Sequence, residues 1–237
     1  MHAARLGKDH GEGMASPCRP VADTGAVSKT CSGQGTSIIL SFSHVVVQMA
    51  GKVFNGFDVE IVGALIEGVK KQPEMGKAIL SANVNWKTGF FTEGLVKDFI
   101  AGGMKFDKSR SKPFVILQDH PPEMGGGANR AATAGELLLV TLGHCITSTI
   151  ASSATMLGIQ IESLRTEIEG HLDMQGMLGL PQPGVVRPGF LEVKARYYIK
   201  SNAPREQLEK AAKMGEDFSV VKDSMRAVKF SSQLFVE

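Results

Sequence analysis

The segment "GGGANRAATAGELLLVTLGHCITSTIASSATML", from Gly125 to Leu157, joins a glycine-rich loop to a long apolar run. Three consecutive glycines, with two prolines just upstream, exclude regular structure before the run. From about Thr133 onward the residues are apolar or carry hydroxyl groups, and Gly158 supplies a helix stop. The segment therefore predicts a long buried helix with one cysteine, Cys145, near its centre.

The composition is that of a globular protein with a sizeable core. Of the 237 residues, 43% are hydrophobic, which suffices for one large domain or two small ones. The 26 basic and 24 acidic residues form no block of like charge, so we expect no nucleic-acid partner and no membrane-binding stripe. Because the central run contains His144 and many serines and threonines, we do not expect it to span a membrane.

The three cysteines are Cys18, Cys31 and Cys145, too few and too scattered for a disulfide framework. No cysteine or histidine cluster has metal-ligand spacing, and His120 and His171 stand alone, so the sequence predicts no metal. We find no dinucleotide or phosphate-loop fingerprint and expect no cofactor. This cysteine usage is typical of a reducing compartment, and we expect a cytoplasmic protein.

Residues 1–48 differ from the rest because they are rich in Gly, Ser, Ala and charge without apolar periodicity. We expect this segment to be disordered or to be a non-native extension upstream of Met49. The run "TSIILSFSHVVVQMAG" resembles the apolar part of a signal peptide, but a long segment without a compact basic start precedes it. Residues 49–237 are expected to form a single domain.

Periodicity divides these residues into helices and half-buried strands. The spacing of Ile61, Leu65 and Val69 predicts a short helix capped by Asp58. A hairpin about a Lys-Thr-Gly turn and the strand "KPFVILQD" precede the central helix. After it, "LRTEIEGHLDM" and "LEVKARYYIK" alternate as antiparallel strands, the second with Leu191, Val193, Ala195, Tyr197 and Ile199 facing inward.

The chain ends with one more helix and one more strand. "SNAPREQLEKAAKMGEDF" begins with a Ser/Asn cap and Pro204 near the first helical position, and "AVKFSSQLFV" is a strand. The order helix, hairpin, strand, long helix, two strands, helix, strand is not the regular alternation of a parallel sheet. It predicts an α+β fold with antiparallel sheets packed on helices.

Two interpretations of Cys145 follow from the residues alone. On a helix, Cys145 shares its face with Leu142, Ser148 and Thr149, while His144 points about 100° away. Periodicity favours a core cysteine, because free cysteine is among the most buried residue types. A reactive thiol would need an electropositive or hydrogen-bonding setting.

The segment "HPPEMGGGANRAATAGELLLVTLGHCITSTIASSATMLGIQIESLRTEIEGHLDMQGMLGL" resembles the central region of the OsmC/Ohr family. The similarity continues through "VRPGFLEVKARYYIKSNAPREQLEKAA" to "SVVKDSM" and covers nearly everything from about Val53. It implies extended sheets wrapped around central helices, in an intertwined homodimer with sites at the dimer interface. It also implies reduction of organic hydroperoxides, with Cys145 at the position of the peroxidatic cysteine.

The chain departs from the family pattern at the resolving cysteine, where it has Ser219. An intramolecular disulfide of Cys145 within the domain is therefore excluded. Family peroxidases also use a Glu and an Arg to hold the thiolate and the peroxide. Glu136 is the candidate carboxylate, or alternatively a first-turn residue that complements the helix dipole. Arg110, and after it Arg130, are the candidate arginines.

Two functional hypotheses lead, and a third, a hydrolytic or other acyl-group activity, has no catalytic triad in the sequence to support it. In the first, Cys145, with Glu136 and Arg110, reduces a small-molecule hydroperoxide and is regenerated by an external thiol, as part of oxidative-stress defence. In the second, the interfacial pocket binds a small apolar ligand without catalysis and Cys145 merely lines it.

Overall fold

The computed structural model describes residues 53–106, 108 and 110–237. The expectation for residues 1–48 concerns a segment outside the described residues, and Cys18 and Cys31 lie outside them as well. Within the described part, the fold is mixed α+β, as the order of elements predicted.

The N-terminal half begins with a small ladder and a capped helix. Strand β1 (Val53–Phe54) pairs with β2 (Phe57–Asp58), and helix α1 follows over Val59–Lys71. The Asp58 carboxylate accepts a hydrogen bond from the Ile61 amide at 3.1 Å, which satisfies one of the open donors of the first turn. A 3-10 turn over Pro73–Gly76 follows the end of α1. The predicted helix and its cap are confirmed.

Six short strands follow and form two antiparallel sheets, with the orders β3-β6-β7 and β4-β5-β8. Their bounds are β3 (Ala78–Leu80), β4 (Asn83–Thr88), β5 (Phe91–Val96), β6 (Phe99–Ala101), β7 (Met104–Lys105) and β8 (Phe114–Gln118). The predicted hairpin is the β4–β5 pair, and Gly89 has the positive φ of 52° that its turn requires. The predicted third strand is β8.

The central helix, α2, spans Ala134–Met156. The Thr133 side chain accepts from the Glu136 amide, and the Glu136 side chain accepts from the Thr133 amide, which together form a capping box. Gly158, with a φ of 72°, follows the last turn. The boundaries predicted from the sequence are confirmed to within one residue.

The C-terminal sheet contains β9 (Ser163–His171), β10 (Glu192–Lys200) and β11 (Lys229–Val236), in the order β11-β10-β9. Strands β9 and β10 are antiparallel, as predicted, but β10 and β11 are parallel. The expectation of purely antiparallel sheets was therefore wrong here, because a helical crossover returns the chain to the same end of the sheet. Leu191, expected to face inward, precedes β10 and is largely exposed.

Three further helices lie in the connections between the strands of this sheet. Helix α3 (Met174–Leu178) lies in the connection between β9 and β10, and α4 (Arg205–Asp217) and α5 (Val220–Ser224) connect β10 to β11. The short helices α3 and α5 were not predicted. Pro204 occupies the cap position of α4 itself and no side chain caps it, so the predicted Ser/Asn cap was wrong. Ser201 instead accepts from the Ala203 amide at 3.1 Å.

The hydrophobic core lies between α2, α4 and the inner face of the C-terminal sheet. The side chains of Ile146, Ile150 and Leu208 are completely buried, and burial of one such side chain contributes about 1.5–3 kcal/mol. Helices α2 and α4 approach closely where Gly215 faces Ile150, because a Cβ built at Gly215 would lie 2.3 Å from Ile150 Cγ1. This core holds the middle of α2 against the turn between α4 and α5.

Candidate active site

Cys145 lies in the middle of α2 and is half-buried. Its carbonyl oxygen accepts hydrogen bonds from the Thr149 hydroxyl at 2.7 Å and the Ser148 hydroxyl at 3.1 Å. These two hydroxyls share a helix face with the cysteine, but their protons are directed to the backbone. The sulfur atom therefore depends on another element for a hydrogen-bond donor.

Ser219 provides that donor. Its hydroxyl lies 3.2 Å from Cys145 Sγ and donates to it, although the two residues are 74 positions apart in sequence. The same oxygen accepts from the Lys222 amide at 3.2 Å and so caps α5. Only 1% of Ser219 is exposed. The capping bond engages the hydroxyl oxygen and leaves its single proton for the sulfur.

The turn that carries Ser219 is fixed by a polar group beside the core. The Tyr197 hydroxyl donates to Glu216 at 3.2 Å, and Lys222 Nζ lies 3.3 Å from the other Glu216 carboxylate oxygen. Burial raises the pKa of Tyr197, and the negative charge of Glu216 raises it further, so the hydroxyl stays protonated and keeps donating. These contacts connect β10, α4 and α5 and hold the start of α5 beside Cys145.

Glu136, the candidate carboxylate, lies at the first turn of α2. Its carboxylate accepts from the amide and the hydroxyl of Thr133, both at 2.8 Å, and these bonds lower its pKa. Nine residues separate Glu136 from Cys145, which corresponds to about 13 Å along a helix axis. Within one chain, Glu136 thus acts as a helix cap and is not brought to the sulfur.

The two candidate arginines lie on the N-terminal half. The Arg110 guanidinium stacks on the rings of Phe99 and Phe114, at 5.4 and 5.0 Å from their centroids, and donates to the Lys97 carbonyl. The other candidate, Arg130, donates to a buried carboxylate in the loop before α2. Among the described residues, the recorded side-chain hydrogen bond to the Cys145 sulfur comes from Ser219 alone, so neither arginine reaches it within one chain.

Asp119 is a site residue that sequence reasoning missed. It is completely buried and accepts from the amides of His120, Ala128 and Arg130 and from Arg130 Nε. Burial alone would raise the pKa of Asp119, but these donors outweigh it and hold the pKa well below the usual range. Asp119 fixes the glycine-rich loop ahead of α2. An Asp at the end of a predicted strand, just before a Pro/Gly-rich loop, was the available signal.

The histidines do not extend the site. His144 is exposed on another side of α2, His120 lies against the Phe90 ring, and His171 contacts Glu169 at 2.6 Å. In the part of the chain that the structure describes, no group of three or more potential ligands could hold a metal ion.

One helix among the described residues, α2, has the length and hydropathy of a membrane span. In this fold it is the central core helix, with Leu142, Ile146 and Ile150 buried against neighbouring elements.

The fold and site together describe an α+β domain with a single cysteine on its central helix, opposite a capped serine. Residues 126–233 match the profile of the family described as OsmC-like protein. Residues 126–233 of this chain therefore carry the OsmC-like match that the resemblance of the central segment implies. No curated protein sequence matches the chain.

Several solved structures are similar to this chain at low identity. An OsmC-like protein from Mycoplasma pneumoniae is 13% identical, with a TM-score of 0.49 over 67% of this chain and 96% of that one. An organic hydroperoxide resistance protein OsmC from Legionella pneumophila is 18% identical, with a TM-score of 0.44 over 66% and 96%. An organic hydroperoxide resistance protein from Elizabethkingia anophelis is 12% identical, with a TM-score of 0.47 over 67% and 96%.

Proposed function

We propose that this protein is a homodimeric, thiol-dependent peroxidase of the OsmC-like family that reduces organic hydroperoxides through Cys145. The observation that carries the proposal is the 3.2 Å contact between the Ser219 hydroxyl and the Cys145 sulfur. By the family resemblance, Ser219 stands at the position of the resolving cysteine. Its closeness to Cys145 supports a site with serine in place of the second thiol.

The chemistry assigned to Cys145 has two steps. The thiolate attacks one peroxide oxygen, the O–O bond breaks, and the products are a sulfenic acid on Cys145 and an alcohol, once the departing alkoxide takes up a proton. One external thiol then displaces the hydroxyl as water and forms a mixed disulfide. A second external thiol attacks that disulfide, releases the external disulfide and restores the Cys145 thiol.

Ser219 determines which regeneration route is open. A serine hydroxyl forms no disulfide, so the sulfenic acid persists until an external thiol arrives. The same hydroxyl donates to the sulfur and would stabilise the negative charge that builds up before attack. A reducing cytoplasm would supply the external thiol, which agrees with the localisation expected from cysteine usage.

Exposed apolar surface supports the homodimer. Val84, Trp86, Ile116 and Phe114 lie on one face of the β4-β5-β8 sheet, and Val84 and Trp86 are 67% and 71% exposed. Single chains rarely leave such a continuous apolar patch in water. A second copy that covers this face would bury it.

Arg110 lies beside the same exposed surface and is the arginine that we assign to the reactive site. Arg110 stacks on Phe114 of β8, and no carboxylate among the described residues lies within salt-bridge distance of it. Its guanidinium would reach the sulfur of the partner if this sheet packs on the partner's α2. We therefore keep Cys145 and Arg110 as the reactive pair and assign Glu136 to the helix cap.

The experiment mixes the reduced protein with cumene hydroperoxide and dithiothreitol and follows peroxide loss. Dimedone trapping and mass spectrometry follow the sulfenic acid on Cys145. We expect turnover that Cys145→Ser abolishes. Ser219→Ala should slow sulfenic acid formation by about tenfold, since a hydrogen bond to a charged group contributes about 1.5 kcal/mol.

Ser148→Ala is the matched control, because that hydroxyl donates to the Cys145 carbonyl and not to the sulfur. It should leave the rate within about twofold, which is what loss of a hydrogen bond remote from the sulfur predicts. Absence of turnover, with Cys145 unmodified at modest peroxide excess, would refute the peroxidase and leave the non-catalytic ligand-binding alternative.

A further inference from the structure

A wide apolar groove of about 700 Å³ lies at the start of α2, away from Cys145. Its walls come from α2, from the connection between β9 and β10, and from the residues after α5. The apolar side chains that form it include Leu138, Leu172, Met174, Met177, Phe190 and Met225. The volume is in the range of small-molecule sites, and thioether side chains adapt to ligands of irregular shape.

The groove carries charge of one sign. Arg187 and His120 are the ionisable side chains in its lining, and no Asp or Glu lines it. Arg187 is exposed at the rim, where its Nη1 donates to the Ala227 carbonyl at 2.8 Å. Among the described residues, no carboxylate lies within 4.0 Å of Arg187. The other donors of this guanidinium face solvent and are accessible to a ligand.

Other groups near the groove do not neutralise Arg187. His120 packs against Phe90, and the nearby Glu136 carboxylate, outside the lining, is held by the capping box at Thr133. An uncharged apolar ligand would leave the Arg187 guanidinium without a partner of opposite charge. A ligand with one anionic end and an apolar body would use both features.

We infer that this groove binds a long-chain carboxylate, with the carboxylate on Arg187 and the alkyl chain against Leu138, Met174 and Met177. An Arg fork matches a carboxylate through two parallel hydrogen bonds. Cys145 does not line the groove, and Leu138 precedes it by seven residues, about 10 Å along the helix axis. The inference therefore does not rest on the proposed peroxidase activity.

The test is calorimetric titration of the full-length protein with dodecanoate, dodecanol and dodecylammonium. We expect one dodecanoate per chain and at least tenfold weaker binding of both other probes. Arg187→Gln should weaken dodecanoate binding by at least tenfold and leave dodecanol binding within twofold. Arg226→Gln is the matched control, because Arg226 is exposed, pairs with Asp223 and does not line the groove.

A second variant keeps the test decisive if Arg187→Gln loses its fold. Met177→Glu places a carboxylate at a side chain that is 48% exposed, and we expect it to abolish dodecanoate binding while thermal unfolding stays cooperative. Equal affinity for dodecanol and dodecanoate, or equal effects of Arg187→Gln and Arg226→Gln, would overturn the inference. So would a wild-type dimer that binds no dodecanoate and that Met177→Glu converts to monomer, since a second copy would then cover the groove.

Discussion

Replacement of Ser219 by cysteine should turn the Ser219–Cys145 contact into a disulfide. The hydroxyl oxygen and the sulfur are 3.2 Å apart, and a disulfide bond of about 2.05 Å requires an approach of about 1 Å. Ser219 is the cap residue directly before α5, so this approach requires a shift of the turn between α4 and α5. We expect Ser219→Cys to oxidise under mild conditions in a chain that also carries Cys18→Ser and Cys31→Ser.

The expected stabilisation follows from the length of the closed loop. For residues 74 positions apart, the loop-entropy relation gives about 4.4 kcal/mol at 25 °C as an upper value. Loss of the serine cap on α5 destabilises the fold by about 1 kcal/mol, so we expect a net stabilisation of about 3 kcal/mol. For a domain of this size that corresponds to a rise in Tm of about 6–12 °C.

Calorimetry with and without a reductant measures this rise, and peptide mapping under non-reducing conditions identifies the bond. Ser224→Cys is the control, because Ser224 is exposed at the end of α5 and donates to the Val220 carbonyl. It should form no bond with Cys145. If Ser219→Cys forms none either, or if oxidation lowers Tm, the proximity of Ser219 and Cys145 is refuted.

Two further predictions concern the helices and the loop before α2. Gly215→Ala should destabilise the fold by about 3 kcal/mol in denaturant titrations, because the new methyl group meets Ile150 in a closely packed core. Gly68→Ala, also within a helix, should stabilise the fold by about 0.5 kcal/mol, since its Cβ meets only ordinary contacts. Equal effects of Gly215→Ala and Gly68→Ala on the free energy of unfolding would contradict the close approach of α2 and α4. Asp119→Asn should lower Tm at pH 7. Because the folded pKa of Asp119 lies below 3.8, the stability it contributes is complete above that pH and is lost below it, so melting curves of wild type and variant should converge in acid. A constant difference from pH 7 to pH 2 would argue against the charge on Asp119 as the cause.

The regular elements were predictable because their signals are local. Thr133 and Glu136 show the capping box of α2 in the sequence itself, and the alternation in β10 places Val193 and Tyr197 inward. Helix α5 was missed because five residues are too few for periodicity. The parallel pairing of β10 and β11 depends on where α4 returns the chain, which no local pattern specifies.

The site was only partly predictable for the same reason. The sequence singles out Cys145 and, by resemblance, the position of Ser219, but the hydrogen bond between them depends on the turn between α4 and α5. The role of Asp119 depends on three amides and a guanidinium in a loop without periodicity. The sequence allowed Glu136 to be either the carboxylate of the reactive site or a residue of the first helical turn. Its hydrogen bond from the Thr133 amide explains its position at the start of α2.

The position of the core along the chain also has a consequence for synthesis. Among the described residues, the buried cluster runs from Leu142 to Ala212, and Leu139 is the residue furthest upstream that packs against it. At about 5–20 residues per second, a ribosome needs roughly 5–19 s to advance from Gln118, the end of β8, to Ala212. Throughout that interval the strands with Val84, Trp86 and Phe114 are already made, and these side chains stay exposed in the folded chain as well. Nascent chains of this protein are therefore expected to occupy chaperones that bind apolar strands until a second copy covers these side chains.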